Sequence, residues 1–362
     1  MPYELDKPLM LARTIRGLEA FGDQEITDNG WGRVEATGHR EVFFTPSHIT
    51  TELLDLKTVD DVFLVAAIIS DIGTTKADLI NFGNRLQTAD FRLKLAAVSR
   101  WFPDYADRAL PSELNVSASF LGKRNYTRFD IEDAIGAVLE QSTKGSYHTR
   151  RDGAIPPTES ASWRVMIRDR EAVIAVRLAT APLHRRPYKV ASIPGTVHPP
   201  VAAVMARLAE IHSGHKVLDP CCGAGTILIE AANIEPGAHY HGRDISDESL
   251  TAARENSAGV DTVIWSQGDA GRLDLVSGSM DRVLVNPPWG QQVDSQKTLM
   301  HGRLALWSEI RRVLRDNGLL TALVHSPEDE EMMVKAGFVV QSRFPLSLFG
   351  SHPEIIVAEL RR

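Results

Sequence analysis

The chain has 362 residues, 43% of them hydrophobic and 24% charged, a composition typical of a globular protein with a buried core and not of a disordered or fibrous one. At about 150 residues per domain, this length favours two or three domains and excludes a single small disulfide-stapled module. With 40 basic and 47 acidic residues the formal net charge is -7, which taken alone argues against a nucleic-acid partner.

Cys221 and Cys222 are the two cysteines of the chain, and because they are adjacent they do not form an ordinary structural disulfide with each other. The first ten residues lack the basic flank and apolar segment of a secretion signal, and no run of 18 apolar residues occurs. The His, Asp and Glu residues show no metal-ligand spacing such as H-E-x-x-H. We therefore expect a cytoplasmic protein without a metal site.

Residues 1–180 mix short strand-like segments with amphipathic helical ones, which is an α+β pattern. The strand candidates are EVFFTP, FLVAAII, NVSASFL, WRVMIRD and AVIAVRL, and the helix candidates include ADLINFGNRLQ and IEDAIGAVLEQS. The proline-rich stretch that follows predicts an extended linker.

From about residue 196, strands and helices alternate, which predicts a doubly wound α/β domain with a largely parallel sheet. The strand candidates are KVLDP, HYHGRDI, TVIWSQGD, DRVLVNPP and GLLTALVHS. The helix candidates are TILIEAAN, SLTAARENS with Ser246 and Asp247 as cap residues, and MHGRLALWSEIRRVLRD. GFVVQSRFPL and EIIVAEL predict an antiparallel pair at the edge of the sheet.

The turn DPCCGAGT, which follows the first of these strands, predicts a cofactor site. Gly223 and Gly225 allow the backbone to approach a ligand closely at the position where doubly wound sheets bind cofactors. The dinucleotide fingerprint G-x-G-x-x-G is incomplete here, which disfavours a pyrophosphate. The turn favours a ligand without phosphates, held at an amino-acid end by Asp219 and the glycine backbone.

Two further acidic residues follow the next two strands. Asp244 ends the second strand, where an acidic residue commonly accepts from ribose hydroxyls, and Asp269 follows the third, where it can accept from an adenine amino group. Three carboxylates at consecutive strand ends predict an adenosyl ligand that carries a methionine, S-adenosylmethionine; the alternative is that each only caps a loop. The predicted cofactor-binding residues are Asp219, Cys221, Gly223, Gly225, Thr226, Asp244, Ile245, Asp269, Ala270 and Asn286.

The fourth strand ends in Asn286, Pro287, Pro288 and Trp289, which form the predicted catalytic segment. The amino group of a nucleobase is a poor nucleophile, so a site must orient it. The Asn286 side chain and the Pro287 carbonyl can accept its two hydrogens, and Trp289 can stack on an unpaired base. The alternative is a rigid turn with Trp289 in the core.

These motifs resemble a known family. DPCCGAGTILIEAA together with NPPWG resembles the catalytic domain of the THUMP-containing, S-adenosylmethionine-dependent RNA methyltransferases that modify the 2-amino group of guanine, chiefly in tRNA. SASFLGKRNYTRFDIEDAIG is similar to the THUMP segment of that family, and LHRRPYKV with PGTVHPPVAAVMARLA is similar to its linker and first catalytic helix. Trp289 departs from the pattern, because the family more often has Tyr or Phe there.

The resemblance implies four segments. These are an N-terminal ferredoxin-like α+β domain over 1–65, a THUMP-like RNA-binding domain over 66–180, a linker over 181–199 and a Rossmann-like methyltransferase domain over 200–362. It also implies a guanosine in tRNA as the methyl acceptor. We expect a monomeric enzyme without a membrane partner. Ribosomal RNA, adenine in DNA and a small molecule stay open as acceptors, as does an RNA-binding protein with a vestigial catalytic half.

The charges are unevenly distributed along the chain. Residues 119–190 hold 13 basic and 8 acidic residues, whereas residues 191–362 hold 15 basic and 21 acidic ones. A positive zone in the THUMP-like part and the linker, with Tyr126 among its cations, predicts that RNA phosphates bind there; the alternative is a set of solvated side chains. The predicted RNA contacts are Lys123, Arg124, Arg128, Arg150, Arg151, Arg185 and Arg186.

Overall fold

The computed structural model describes residues 7–288 and 304–361. The chain divides into two compact units, an N-terminal unit of Met1–Thr14 and Gly22–Leu183 and a C-terminal unit of Ile15–Phe21 and His184–Arg362. No helix within the described ranges is both long enough and apolar enough to cross a membrane.

The N-terminal unit contains an eight-stranded sheet in the order β2-β3-β1-β4-β8-β7-β5-β6. Its strands are β1 (Met10–Arg13), β2 (Gly32–Gly38), β3 (Glu41–Pro46), β4 (Asp61–Ile69), β5 (Glu113–Phe120), β6 (Ser146–His148), β7 (Ala161–Arg168) and β8 (Glu171–Arg177). The helices of this half are α1 (Glu19–Asp28), which crosses the division between the units, α2 (Lys76–Leu86), α3 (Ala89–Ala106) and α4 (Arg128–Thr143).

The core of this unit lies between its helices and one face of the sheet. Phe82 of α2, Phe102 of α3 and Ile135 of α4 are buried there with strand residues such as Trp163. α2 and α4 each begin with a capping box, in which a threonine and an aspartate three residues later satisfy each other's backbone N–H groups.

The predicted boundary at residue 65 does not separate two compact parts. It falls inside β4, which pairs with β1 on one side and with β8 on the other. A strand hydrogen-bonded on both edges ties the first 60 residues to the following ones in a single sheet. Residues 184–199, predicted as part of a linker, belong to the C-terminal unit.

The C-terminal unit contains a seven-stranded sheet in the order β11-β10-β9-β12-β13-β15-β14. Its strands are β9 (Lys216–Asp219), β10 (His239–Asp244), β11 (Val263–Gln267), β12 (Met280–Val285), β13 (Leu314–Val324), β14 (Phe338–Pro345) and β15 (Glu354–Leu360). Its helices are α5 (Pro199–Leu208), α6 (Thr226–Ile234), α7 (Asp247–Asn256), α8 (Leu304–Val313) and α9 (Pro327–Lys335).

The predicted doubly wound α/β domain is confirmed. The first five strands of this sheet are parallel, and β15 is antiparallel to both β13 and β14, which forms the edge. Helix α8 is shorter than predicted, because residues 314–316 already belong to β13. Chain order reverses between β9 and β12, and the carboxyl ends of strands at such a reversal leave a crevice for a ligand.

Candidate active site

The turn between β9 and α6 shapes a cavity in the C-terminal unit. Gly225 lies in the left-handed region at φ +82°, and a Cβ at this position would lie 2.6 Å from the ring of Trp265. Only glycine fits both restrictions without strain. Gly223, at φ +52°, lines the cavity, whereas Gly225 is absent from its described wall and acts by bending the chain.

The cavity has a volume of about 350 Å³ and is surrounded by residues from the carboxyl ends of β9, β10 and β12. Most of the predicted site residues lie in its wall: Asp219, Cys221, Gly223, Thr226, Asp244, Ile245, Asp269, Ala270, Asn286, Pro287 and Pro288. Trp289 lies outside the described residues. The fold therefore brings the predicted residues together, and their contacts with a cofactor stay a prediction.

The wall of the cavity is acidic. Asp219, Asp244, Glu248 and Asp269 line it, and its described residues include no Lys, Arg or His. A low-dielectric pocket with carboxylates and no cation attracts a positively charged ligand and disfavours a phosphate.

Asp219 is the deepest of these carboxylates, with an exposure of 1%. Its Oδ1 accepts a hydrogen bond from the Cys221 N–H at 3.0 Å, and its buried Oδ2 has no hydrogen-bond partner. Burial, reinforced by the Asp244 carboxylate, raises the pKa of Asp219 to about 8 despite the bond from Cys221. A buried oxygen without a donor is rare in proteins, and an ammonium group in the cavity would satisfy it.

Asp244 and Asp269 also hold the loops in which they lie. Asp244 accepts from the N–H of Gly223 through Oδ2 and from that of Ser246 through Oδ1, both at 2.9 Å. Asp269 Oδ1 accepts from the Gly271 N–H at 2.9 Å. Each carboxylate oxygen has more than one lone pair, so loop capping and ligand binding are compatible.

Cys221 and Cys222 follow Asp219 in the turn and are free thiols. Burial, followed by the neighbouring carboxylates, raises the pKa of both thiols well above its ordinary value. Both are therefore neutral at physiological pH, and neither has the character of a nucleophile.

Asn286 is fixed on both sides of its carboxamide group. Its Nδ2 donates to the carbonyl of Gly195 at 3.3 Å, and its Oδ1 lies 3.1 Å from Nε2 of His325, which follows β13. β12 and β13 are parallel neighbours, so Asn286 and His325, which lie just beyond their carboxyl ends, contact each other, and Asn286 lines the cavity. His325 was missed in the sequence, where a single histidine after a strand carries no distinctive signal.

Residues 193–197, here called the cover segment, form another part of the wall that was not predicted. Asn256 anchors the chain just before it: Oδ1 accepts from the Ala191 N–H at 2.8 Å, and Nδ2 lies 3.0 Å from the Ala191 carbonyl. Nδ2 also lies 3.0 Å from the Ala224 carbonyl in the cofactor turn. One buried side chain thus links the chain just before the cover segment to the turn.

A buried ion pair formed by Arg186 also anchors the chain that precedes the cover segment. The Nε of Arg186 donates to Oε1 of Glu230 at 2.8 Å and its Nη2 to Oε2 at 3.3 Å, and the Tyr188 hydroxyl donates to Oε1 at 2.7 Å. The side chains of Arg186 and Glu230 are 6% and 1% exposed. The prediction that Arg186 contacts RNA is therefore wrong, because its guanidinium is buried in an ion pair with α6.

Replacing Arg186 with alanine is expected to lower the free energy of unfolding by about 3–5 kcal/mol, because Glu230 keeps a buried charge without its cation. The same replacement at the exposed neighbour Arg185 is expected to change it by less than about 0.5 kcal/mol. Urea unfolding of both variants measures the difference. Equal effects at the two positions would contradict a structural role for the buried pair.

The remaining residues that were predicted to contact RNA differ in whether they already pair with other residues of the protein. Lys123, Arg128, Arg150 and Arg185 are exposed. Arg151 pairs with Asp130 at 3.1 Å and Asp133 at 2.8 Å.

Arg124 donates to the carbonyls of Gly73 and Asp169, so it holds loops of the N-terminal unit together. Tyr126 is 3% exposed, and its hydroxyl donates to the Gly73 carbonyl at 2.8 Å. The suggestion that this ring interleaves with surface cations to meet RNA is therefore wrong.

Comparison with known proteins assigns the C-terminal unit. Residues 186–343 match the family model described as UPF0020: RMKL-like, methyltransferase domain. The matched residues form a methyltransferase domain similar to this family, and the chain is a methyltransferase.

This methyltransferase is 28% identical over 250 residues to a tRNA (guanine(6)-N2)-methyltransferase of Thermus thermophilus, a match that covers 67% of the chain and 71% of the relative. It is 35% identical over 194 residues to the U6 snRNA (guanine-N(2))-methyltransferase THUMPD2 of Bos taurus, covering 52% of the chain but 36% of the relative. The crystal structure of TrmN from Thermus thermophilus superposes with a TM-score of 0.76 at 24% identity, covering 98% of this chain and 99% of that one.

The methyl donor of this methyltransferase is S-adenosylmethionine, and the cavity suits it. The donor carries an ammonium and a sulfonium group and no phosphate, which agrees with the acidic wall free of described cations. The unpartnered Oδ2 of Asp219 offers an acceptor where the ammonium would be buried. A volume of about 350 Å³ lies in the range of small-molecule sites.

Proposed function

We propose that this methyltransferase transfers the methyl group of S-adenosylmethionine to the exocyclic 2-amino group of a guanosine in tRNA. The observation that carries the proposal is the placement of Asn286, Pro287 and Pro288 in the wall of the acidic cavity, at the end of β12. The tRNA relative from Thermus thermophilus supports the choice of acceptor.

In this proposal Asn286 orients the amine. Because His325 occupies one lone-pair direction of Oδ1 and the Gly195 carbonyl holds Nδ2, the carboxamide is fixed with a second Oδ1 lone pair for an amine hydrogen. Pro287 has no N–H to compete with its carbonyl, which accepts the other hydrogen. The rate enhancement comes from positioning, because the amine is already oriented for attack and does not lose this orientational entropy in the reaction step.

The bound donor would supply an electrophilic methyl group to the oriented amine nitrogen, with a thioether as the leaving group and one amine proton lost to solvent. Asp219 would hold the methionine end, with the backbone at Gly223, while Asp244 would hold the ribose and Asp269 the adenine. Trp289 would stack on the base. The cover segment would exclude water from the donor side of the cavity.

The N-terminal unit would act as a THUMP-like RNA-binding region. Its exposed Lys123, Arg128 and Arg150 would bind phosphates, and on the C-terminal unit Arg185 would bind one as well. Arg124 and Arg151 would contribute charge to the surface of the N-terminal unit while they hold their protein partners. We propose that the enzyme acts as a cytoplasmic monomer.

The test is a reaction of the full-length protein with S-adenosylmethionine and a tRNA transcript, followed by digestion to nucleosides and mass spectrometry. We expect 2-methylguanosine to form. A U6 snRNA transcript, a ribosomal RNA fragment and duplex DNA serve as parallel substrates. Methylation of one of these, with tRNA unmodified, would contradict the proposed acceptor, and failure to bind S-adenosylmethionine would favour a vestigial catalytic half.

A further inference from the structure

The N-terminal sheet has a second face, opposite the one that packs on the helices. Its apolar part is a small cluster formed by strand residues alone: Leu11, Phe43, Phe63, Val65, Met166, Val173 and Ala175. Side chains two residues apart on a strand point to the same side. Arg13, Arg164, Arg168 and Arg177 are each two residues from a member of this cluster, so they lie on the same face, here called the arginine face.

Three of these arginines share two buried carboxylates. Arg13 pairs with Glu41 at 2.8 Å, Arg168 pairs with the same carboxylate at 2.6 Å, and Arg177 pairs with Asp61 at 2.6 Å. The side chains of Glu41 and Asp61 are 1% and 6% exposed, so the negative charge lies beneath the arginine heads.

Arg164 is the exception on this face. Its Nη1 donates to the Ser117 hydroxyl at 3.3 Å and its Nη2 to the Ser119 hydroxyl at 3.0 Å, both on β5. Within the described ranges it forms no ion pair with a carboxylate. With four arginines and two carboxylates, the arginine face has two positive charges in excess.

The environment of Arg164 disfavours an uncompensated charge. Burial, together with the nearby Arg13 and Arg177, lowers the pKa of its guanidinium to about 10, so the group stays protonated at neutral pH. A largely buried cation held by neutral hydroxyls has lost much of its hydration, and Asp61 and Glu132, which interact with it electrostatically, do not form an ion pair with it, an arrangement that an incoming anion relieves. The side chain is partly exposed and can meet such an anion.

We propose that the arginine face binds a backbone phosphate of the substrate RNA, with the Arg164 guanidinium and the Ser117 and Ser119 hydroxyls as its direct ligands. A guanidinium fork matches two phosphate oxygens, and a serine hydroxyl can rotate from accepting to donating. This site rests on the proposed function for the identity of the RNA. Its ligands differ from the exposed cations predicted from the sequence, of which Arg128 and Arg150 interact electrostatically with Glu132, as Arg164 does.

The test measures binding of a fluorescently labelled tRNA transcript by full-length Arg164→Gln, compared with the wild type, over a series of salt concentrations. We expect the dissociation constant to rise about tenfold at low salt. The slope of log affinity against log salt concentration is expected to fall by about 1, as for one lost phosphate contact. Ser117→Ala combined with Ser119→Ala is expected to weaken binding in the same direction.

Two controls separate loss of the site from loss of the fold. Arg33→Gln removes an arginine that is 80% exposed in β2 and paired with Glu35, and it is expected to leave RNA affinity unchanged. Arg164→Gln is expected to keep or raise the melting temperature, because it removes a largely buried charge that forms no ion pair with a described carboxylate. Calorimetric affinity for S-adenosylmethionine is expected to equal that of the wild type, since the variant lies in the N-terminal unit.

Wild-type RNA affinity and salt slope in Arg164→Gln would overturn the phosphate site. The proposal would also be overturned if inorganic phosphate competed with tRNA for the wild-type protein while Arg164→Gln bound tRNA as tightly as the wild type. These outcomes are distinct from failure of the proposed function, which would appear as absence of 2-methylguanosine in the wild-type reaction, whatever the binding curves show.

Discussion

Asn286→Ala is expected to lower kcat for methyl transfer at least about a hundredfold, while the dissociation constant for S-adenosylmethionine changes less than about threefold. The carboxamide is held by Gly195 and His325 at the carboxyl end of β12, so its removal leaves the amine without its orienting acceptor. In the proposed arrangement, donor binding depends on the carboxylates at other strand ends. Single-turnover kinetics and calorimetry on the same protein preparation measure the two quantities.

A graded comparison at His325 tests the same geometry. His325→Ala removes the neighbour of Asn286 Oδ1 and is expected to lower kcat about tenfold, whereas His325→Gln offers an amide N–H in its place and is expected to restore part of the loss. Asn84→Ala, an exposed asparagine in α2, serves as the control. Full turnover by Asn286→Ala would exclude the proposed role of the carboxamide.

The architecture of the C-terminal unit was predictable because its signals are local. Apolar strand segments such as KVLDP each end at a turn or at a polar residue. Because neighbouring strands are parallel, these ends lie at one edge of the sheet. For this reason Asp219, Asp244 and Asn286 line one cavity, although 67 residues separate the first from the last. The position of each strand within the sheet is set by packing and has no comparable local signal.

The N-terminal unit was less predictable because short elements depend on distant partners. β1 has four residues and is held by β3 and β4. Helix α3, with 18 residues, contains Pro103 and was not predicted, since proline disfavours a helix interior. The assignment of residues 15–21 to the C-terminal unit likewise rests on buried side chains such as Leu18, which join a cluster made mostly of residues beyond 196.

Arg185 and Arg186 show why charge counting does not identify contacts. The two residues are adjacent and chemically equal in the sequence, yet one is exposed and the other is buried against Glu230, 44 residues away. The cover segment had no periodic signal either, because its position depends on Asn256. Whether a charged side chain is exposed or buried in an ion pair depends on residues that are distant in the sequence and come close only in the folded chain.

Asp219 should make binding of S-adenosylmethionine depend on pH. Its raised pKa of about 8 means that the carboxyl group is mostly protonated at pH 7 in the free protein, whereas the ammonium of the donor favours the carboxylate. Binding near pH 7 must therefore release close to one proton. Affinity is expected to rise about tenfold between pH 6 and pH 7 and to be greatest near pH 8, where the α-amino group of the donor begins to lose its own proton.

Asp219→Asn keeps the shape of the side chain and removes its titration. This variant is expected to bind S-adenosylmethionine at least about tenfold more weakly at pH 8 and to lose the rise between pH 6 and pH 7. Calorimetry in two buffers of different ionisation enthalpy measures the released proton directly. Asp274→Asn, an exposed aspartate of the same unit, is the matched control.

The stability of the donor-free protein gives a second readout with a defined sign. Because the folded pKa of Asp219 lies above the unfolded value near 3.8, the unfolded chain loses this proton first, and the wild type loses stability as pH rises from about 4 to about 8. Asp219→Asn lacks this loss, so its melting temperature at pH 8 is expected to exceed that of the wild type. A variant that melts lower at pH 8 and binds the donor normally would place the methionine end elsewhere in the cavity.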